Sequence, residues 1–182
     1  MDHSQKILVL DFGSQYTQLI ARRIREMGVY TEIIPCSKPI TPVEIHSIKA
    51  LILSGGPASV NDSDAPDFDP SWLQLGVPVL GICYGMQIIA KLSSAVLGQG
   101  QSREYGHAAL SVKNNSSIFQ GFECGENISV WMSHADHVSE LPLGFEVIAE
   151  SAGAPIAAMQ NNAKNIYAIQ FHQEVVHKPR SK

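Results

Sequence analysis

The sequence predicts an α/β fold in three layers, with a mainly parallel central sheet, flanking helices and a small antiparallel addition in the second half. Short apolar runs alternate with amphipathic segments through the first half of the chain, a pattern typical of strands and helices wound around a parallel sheet. In the second half, short alternating segments are separated by Gly, Asn and Pro, which indicates antiparallel hairpins.

The first half supplies the predicted parallel strands. Lys6 to Asp11 reads KILVLD and is apolar enough for a strand buried on both faces. An amphipathic helix follows, and Gly28 is expected to end it. The apolar positions of that helix are Tyr16, Leu19, Ile20, Ile24 and Met27. The other elements predicted here are strands at 29–34, 50–53 and 77–82, a short helix from Thr41 to about Ile48, and a helix from Met86 to Leu92.

The second half is predicted to add antiparallel strands to this core. Alternating segments occur at 109–112, 128–132, 145–150 and 156–159, and Tyr167 to Phe171 reads as another buried strand. The sequence contains no internal repeat and no low-complexity linker. We therefore expect residues 1–182 to form a single domain.

Composition excludes several classes of function. Of the 182 residues, 45% are apolar and 16% are charged, which is enough for a sizeable core. The net charge is −4 and no run of Lys or Arg occurs, so a nucleic-acid partner is not expected. No apolar stretch approaches the roughly 20 residues that cross a bilayer, and the N-terminus lacks the apolar region of a signal peptide, so a membrane partner is not expected either.

The three cysteines, Cys36, Cys83 and Cys124, are too few and too scattered for a disulfide framework or a zinc cage. A cytoplasmic location is the expectation from this usage. In a reducing compartment, a cysteine in a special local context is a candidate nucleophile.

The stretch Gly81-Ile82-Cys83-Tyr84-Gly85 provides that context. It is a G-x-C-x-G between a predicted apolar strand and a predicted helix, the cysteine version of the nucleophile elbow. Such a tight turn strains the central residue and leaves no room for a Cβ on either side. A position at the helix N-terminus also stabilises a thiolate. The pattern favours Cys83 as a nucleophile over a buried structural cysteine.

Two further polar features are expected near this elbow. Ser54-Gly55-Gly56-Pro57 follows a strand, and a backbone N–H of this turn together with that of Tyr84 would form an oxyanion hole. A tight turn without catalytic function explains the same residues. Gln87 lies one helical turn after Cys83, and from its position alone a contact with substrate and a bond to a neighbouring loop are about equally well supported.

The stretch Phe171 to Val175, FHQEV, contains a candidate base and its partner. In an extended segment His172 and Glu174 would point to the same face, where a carboxylate can hold Nδ1–H and leave Nε2 free to take a thiol proton. The alternative is a metal site formed by His172, Glu174 and His177, or by the polar cluster at 133–137. Neither spacing matches a recognised zinc motif such as H-E-x-x-H, so no metal is expected.

Five stretches together resemble the class I glutamine amidotransferase family, from about Lys6 to His177. They are LDFGSQYTQL at 10–19, LSGGP at 53–57, GICYGMQ at 81–87, VWMSHAD at 130–136 and QFHQEV at 170–175. The G-x-C-x-G and F-H-x-E patterns mark the wider family. DFGSQYTQL and WMSHAD point to the branch in which glutamine hydrolysis supports the conversion of XMP to GMP.

The resemblance implies an enzyme that hydrolyses the side-chain amide of glutamine. Cys83 would attack the amide, His172 would pass the thiol proton to the leaving ammonia, and Glu174 would orient His172. The backbone at Gly56 and Tyr84 would hold the oxyanion, and water would release glutamate from a glutamyl thioester.

The resemblance also implies a substrate wall and a partner. With the resemblance, Gln87 is expected to bind the substrate, because it lies one turn from the nucleophile. Ser133, His134 and Asp136 are similar to the family segment near the glutamine and the partner domain, and are expected to bind the substrate as well. The ammonia would pass to an ATP-pyrophosphatase domain or subunit, which uses ATP and Mg²⁺ to aminate XMP. The glutaminase domain itself would need no cofactor.

The sequence departs from the family pattern at two places. Gln173 stands where the family usually has Pro, and only Val176 to Lys182 follow the last strand, where the family continues into a helix. No Ser-Gly-Gly-x-Asp-Ser phosphate loop occurs. We therefore expect a glutaminase domain truncated at its C-terminus and lacking the ATP-pyrophosphatase domain. Two alternatives stay open, a non-catalytic partner-binding module and another cysteine hydrolase, such as a peptidase-like or γ-glutamyl hydrolase enzyme.

Overall fold

A computed structural model describes residues 5–41, 45–56 and 59–175 of the chain. Within these residues the strands are β1 Lys6–Asp11, β2 Thr31–Pro35, β3 Ile48–Leu53, β4 Val79–Ile82, β5 Leu97–Val112, β6 Asn127–Val138, β7 Glu146–Ser151, β8 Ala158–Asn161 and β9 Ile166–Ile169. Among the same described residues, α1 is Thr17–Glu26 and α2 is Tyr84–Leu92. The helix predicted from Thr41 to about Ile48 falls partly on residues 42–44, which lie outside the described residues, and its predicted end was too late because Ile48 already belongs to β3.

The nine strands form one sheet with the order β2-β1-β3-β4-β9-β8-β7-β5-β6. The first five strands in this order pair in parallel. The remaining strands pair antiparallel and extend the same sheet from β9 outward. The predicted fold class is confirmed, and the antiparallel addition is continuous with the parallel core.

Two apolar clusters cover opposite faces of the sheet and define the three layers. Successive residues of a strand point to opposite faces, so Leu8 and Leu10 pack on the side of α2, whereas Val9 packs on the side of α1. All three side chains are at most 2% exposed. Burying a side chain of this size contributes about 1.5–3 kcal/mol, which explains why β1 forms at the centre of the parallel half.

The buried face of the first helix ends earlier than the sequence predicts. Ile20 and Ile24 are buried, but Met27 is 73% exposed, so its assignment to the apolar face was wrong. The reason is that α1 ends at Glu26, and Gly28 follows with a φ of +81°. This left-handed conformation turns the chain toward β2, as expected for a helix-ending glycine.

β5 and β6 are longer than the sequence predicts, whereas β7 and β8 have the predicted lengths. β5 runs over 16 residues, where alternation indicated only 109–112. Its first part is held by antiparallel pairing with β6, with register from Leu97 opposite Val138 to Ser111 opposite Asn127. Backbone hydrogen bonds make this pairing possible without an apolar alternation, so the hydrophobic pattern alone underestimates such a hairpin.

None of the helices among the described residues is long and apolar enough to cross a lipid bilayer.

Candidate active site

A cleft of about 410 Å³ opens where the parallel strands end. Its walls come from residues 13–16 after β1, Gly56 and Ser59 after β3, Cys83, Tyr84 and Gln87 after β4, and His172 after β9. The opposite wall comes from Tyr105 of β5 and from Ser133, His134 and Asp136 of β6. Ligands in α/β folds bind at this edge of the sheet, because loops from neighbouring strands converge there.

Cys83 occupies a strained turn between β4 and α2. Its backbone has φ 52° and ψ −104°, a positive-φ conformation that a residue with a side chain rarely adopts. Such strain costs on the order of 1–3 kcal/mol and persists only where surrounding bonds hold it. Here Cys83 N–H donates to Ile169 O at 2.8 Å, and Gly85 N–H donates to Ser54 O at 3.1 Å. The turn is therefore held by the strands on both sides of β4.

The two glycines of the elbow are needed for space. A Cβ on Gly81 would lie 2.6 Å from Gly85 O, and a Cβ on Gly85 would lie 2.4 Å from Leu53 O. Both distances are far below a van der Waals contact, and both neighbours are backbone atoms that cannot move independently. The close approach of α2 to β3 and β4 thus depends on these glycines.

The sulfur of Cys83 lies between groups from two other elements. Cys83 Sγ is 3.6 Å from Ser133 O on β6, toward which a thiol can donate. The amide of Gln170 approaches from the sheet side, with Nε2 at 3.5 Å from Sγ. Cys83 is only 7% exposed and also packs in the apolar cluster on the α1 side of the sheet.

His172 and Glu174 form a buried pair. Nδ1 of His172 is 2.7 Å from Oε1 of Glu174, and each side chain is 4% exposed. The extended geometry expected for this segment was wrong beyond His172. His172 N–H donates to Trp131 O at 2.8 Å in an isolated bridge, and residues 173–174 form a turn. The turn brings the carboxylate back to the imidazole, so the pair forms without an extended strand.

Two other residues set the position of the imidazole. The ring of Tyr16 packs against that of His172 with centroids 4.9 Å apart and planes inclined by 56°. A Cβ on Gly55 would lie 3.3 Å from Cε1 of His172, a tight contact. Gly55 therefore leaves room for the ring, a function that the sequence did not indicate.

The protonation of His172 is set by opposing effects. Burial lowers the pKa of His172, but hydrogen bonding and charge interactions with Cys83 and Glu174 outweigh it and raise the pKa from 6.5 to about 9. At neutral pH the imidazole therefore carries a proton. A protonated imidazole beside a sulfur can donate that proton to a leaving amine.

The candidate oxyanion groups, Gly56 and Tyr84, lie side by side. A Cβ on Gly56 would be 2.9 Å from Cγ of Tyr84, so the glycine backbone packs directly on the aromatic ring. Within the described residues, neither backbone N–H has a hydrogen-bond partner. The Tyr84 ring itself packs on Phe12 with centroids 5.4 Å apart, and burial raises the pKa of its phenol to about 12.

The predicted substrate residues are brought together, but the main chain of Asp136 already binds two of them. Gln87 Nε2 donates to Asp136 O at 3.0 Å, and His134 Nδ1 lies 3.1 Å from the same oxygen. Of the two contacts considered for Gln87 from its position alone, substrate or a neighbouring segment, the structure shows the bond to a neighbouring segment. Ser133 presents its main-chain oxygen to Cys83.

The sequence missed several groups that line the cleft. The segment 13–16, Ser59 and Tyr105 had no assigned role, and Gln170 was part of a motif only. The signal available for Gln170 was a polar residue within a predicted buried strand, two positions before His172. No comparable local pattern identifies Tyr105, which reaches the cleft through the long hairpin.

Metal ligands do not cluster in the described part of the chain, where no group of three or more His, Cys, Asp or Glu is arranged to hold an ion. His177, one member of the metal alternative, lies outside the described residues.

The fold and the cleft correspond to a known class of protein. The sequence model for Glutamine amidotransferase class-I matches residues 8–182. The chain belongs to the class-I glutamine amidotransferase family, a family of enzymes, and the resemblance predicted from its motifs is confirmed.

Relatives identify the branch of this family. The chain is 51% identical over 179 residues to a protein of Maridesulfovibrio salexigens named GMP synthase [glutamine-hydrolyzing], covering 97% of this chain and 34% of that protein. It is 53% identical over 175 residues to a protein of the same name from Nitrobacter hamburgensis, covering 96% of this chain and 32% of that protein. The chain thus spans about a third of the length of these relatives.

Solved structures share the fold. A GMP synthase subunit protein from Thermoplasma acidophilum superimposes with a TM-score of 0.80 at 33% identity, covering 97% of this chain and 88% of that one. A glutamine amidotransferase from Thermotoga maritima superimposes with a TM-score of 0.76 at 22% identity, covering 95% of this chain and 77% of that one.

Proposed function

We propose that the chain hydrolyses the side-chain amide of glutamine and supplies the ammonia to a synthetase domain or subunit that converts XMP to GMP. The observation that carries the proposal is the convergence of a cysteine on a strained elbow with a buried His172–Glu174 pair in one cleft. The names of the curated relatives support the nucleotide product.

The first step is attack of Cys83 Sγ on the amide carbon of glutamine. His172, whose pKa is raised to about 9, takes the thiol proton of Cys83, and the sulfur attacks as a thiolate. The carbonyl oxygen becomes an oxyanion, which accepts hydrogen bonds from the N–H groups of Gly56 and Tyr84. His172 Nε2 then donates its proton to the amide nitrogen, the C–N bond breaks, and ammonia leaves.

The second step releases glutamate. A glutamyl thioester remains on Cys83, and a water molecule attacks its carbonyl carbon while His172 Nε2 accepts a proton from the water. The C–S bond breaks, and the sulfur leaves as a thiolate beside the imidazolium. The balance is glutamine plus water to glutamate plus ammonia. Glu174 accepts a hydrogen bond from Nδ1–H throughout and stabilises the charged imidazole.

The β6 wall is proposed to contact the substrate. Ser133, His134 and Asp136 line the cleft opposite Cys83, and Gln87 is tied to this wall through Asp136 O. We infer that Gln87 acts by holding β6 against α2 and by lining the substrate cavity. We assign no cofactor to this domain and assign ATP and Mg²⁺ to the synthetase partner. A reducing cytoplasm suits an enzyme with a free nucleophilic thiol.

The test is glutamate release from glutamine, measured with and without an ATP-pyrophosphatase partner, for the wild type and for Cys83→Ala. We expect release from the wild type, stimulation by the partner, and none from the variant above background. An electrophilic glutamine analogue should label the Cys83 peptide in the wild type, as detected by mass spectrometry. Equal inactivity of wild type and variant with the partner present would favour a non-catalytic binding module. Labelling by peptide or γ-glutamyl probes, but not by the glutamine analogue, would favour another cysteine hydrolase.

A further inference from the structure

Gln170 is a buried polar side chain that the mechanism above does not use. It is 0% exposed, and its backbone follows the last residue of β9 directly. Its Nε2 lies 3.5 Å from Cys83 Sγ, whereas its Oε1 has no hydrogen-bond partner among the described residues. A buried amide is costly unless it is hydrogen-bonded, and here its hydrogen bond is to the reactive sulfur.

The sheet register sets this contact. Ile82 lies opposite Ile169 in the parallel pair of β4 and β9, so the residues that follow them, Cys83 and Gln170, leave the sheet side by side. Cys83 N–H donates to Ile169 O, and Gln170 N–H donates to Ala157 O, both at 2.8 Å. Backbone bonds on both sides therefore hold the amide against the sulfur.

The two hydrogen-bond contacts of the sulfur are chemically different. Ser133 O, at 3.6 Å, can accept from a thiol but repels a thiolate. The Gln170 N–H donor, at 3.5 Å, favours the thiolate, because a hydrogen bond to a charged acceptor is about twice as strong as one to a neutral acceptor. The ionisable side chains that line the same cleft are Tyr16, Tyr84, Tyr105, His134, Asp136 and His172, with Glu174 behind His172.

We propose that Gln170 is a positioning residue whose side-chain N–H donates to Cys83 Sγ, holding the sulfur at the cleft and favouring its thiolate form. This inference deepens the proposed glutaminase function and rests on it. The amide does not touch the substrate in this role. It acts through the sulfur, as a second donor beside His172.

The test is the pH dependence of alkylation of Cys83 by iodoacetamide, followed by mass spectrometry of the Cys83 peptide so that Cys36 and Cys124 do not interfere. Met fills a similar volume without a donor, and we expect Gln170→Met to move the pH midpoint upward by about one unit. At a fixed pH below both midpoints this corresponds to about tenfold slower alkylation. Gln170→Asn keeps an amide that is too short to reach the sulfur, and should show the same shift if Gln170→Met does not fold.

Gln160 provides a matched control. It is 1% exposed, lies on β8, and its Nε2 donates to Glu146 Oε1 at 2.7 Å, away from the cleft. Gln160→Met should lower thermal stability while leaving the midpoint of Cys83 alkylation unchanged. An unchanged midpoint in a folded Gln170 variant would overturn the inference. A downward shift would also overturn it, because it would mean that Oε1 rather than Nε2 faces the sulfur.

The alkylation assay separates this inference from the proposed function, since it requires no glutamine. If the wild type hydrolyses glutamine but the midpoint does not move, the positioning role alone is wrong. If the midpoint moves in the Gln170 variant but the wild type releases no glutamate, with or without the partner, the proposed function is wrong. The role of Gln170 in glutamine hydrolysis is then wrong as well, although its contact with the sulfur stands. In the active enzyme, Gln170→Met should lower kcat for glutamine with little change in KM.

Discussion

Oε1 of Glu174 lies 2.7 Å from Nδ1 of His172, and the bond is sealed from solvent because both side chains are 4% exposed. The other carboxylate oxygen, Oε2, is buried without a hydrogen-bond partner among the described residues. A carboxylate in this position fixes the tautomer of the imidazole and directs Nε2 toward the cleft. The charge of Glu174 and the proton of His172 are therefore coupled.

Replacing Glu174 by Gln should lower glutamine hydrolysis strongly while leaving the fold intact. The amide can occupy the same space, but it removes the charge that stabilises the imidazolium. We expect kcat/KM to fall by about 10²- to 10⁴-fold, the range over which general acid–base groups contribute. Glu150→Gln is the matched control, because Glu150 pairs with Lys113 on the surface and its loss should change activity less than about twofold. Equal activity of the two variants would remove Glu174 from the mechanism.

Folding stability should fall as the pH rises from neutral to alkaline. The pKa of His172 is raised to about 9 from 6.5, so the proton stabilises the folded state. This contribution is fully present below pH 6.5 and is lost as the pH rises through about 9. It amounts to a few kcal/mol at most, since one pKa unit corresponds to about 1.4 kcal/mol.

Urea unfolding of the wild type at several pH values between about 6 and 10 measures this dependence directly. In His172→Gln, the free energy of unfolding should change less with pH over this range than in the wild type. His107→Gln, at a position on β5 outside the cleft, should leave the pH dependence of the wild type unchanged. A wild-type curve parallel to that of His172→Gln would show that the His172 proton does not stabilise the fold.

Replacing Gly85 by Ala should destabilise the protein and displace the nucleophile. The new Cβ would lie 2.4 Å from Leu53 O, so α2 must move away from β3. Overpacking of this kind costs about 1–3 kcal/mol or more. Gly125→Ala is a useful comparison, because a Cβ there meets nothing within 4 Å and only the φ of +87° is strained. Thermal melting and glutaminase rate should both fall further for Gly85→Ala, and the reverse order would contradict the close packing at the elbow.

Replacing Gln173 by Pro should preserve activity. Gln173 is exposed, so its replacement removes no buried contact. It is not among the described residues with a positive φ, so the fixed negative φ of proline is compatible with the backbone there. We expect the rate to stay within about tenfold and the free energy of unfolding to rise by up to about 1 kcal/mol, through a stiffer unfolded chain. Steady-state kinetics and urea unfolding of the variant check both values. A loss of activity beyond about a hundredfold, equivalent to about 2.7 kcal/mol in the barrier, would mean that the turn at 173–174 is incompatible with proline.

The elements that the sequence predicted well are those with a local cause. The apolar run of β1 and the glycine after α1 both carry their signal within a few residues, and both occur in the structure. Met27 was assigned to the buried face because periodicity does not mark where a helix ends. β5 was predicted too short, because pairing with β6 extends it where its own residues do not alternate.

The parallel core, the family and the elbow follow from the order of residues alone, because a strand, a tight turn and a helix need particular residues at adjacent positions. The surroundings of the Cys83 sulfur, in contrast, depend on how the strands pair in three dimensions. The pairing of β4 with β9 brings Gln170 and His172, which are 87 and 89 residues away in the chain, close to Cys83. The turn at 173–174, rather than an extended strand, brings Glu174 to His172. These contacts follow from strand register and a backbone turn, which depend on the packing of the whole sheet and leave no local pattern in the residues themselves.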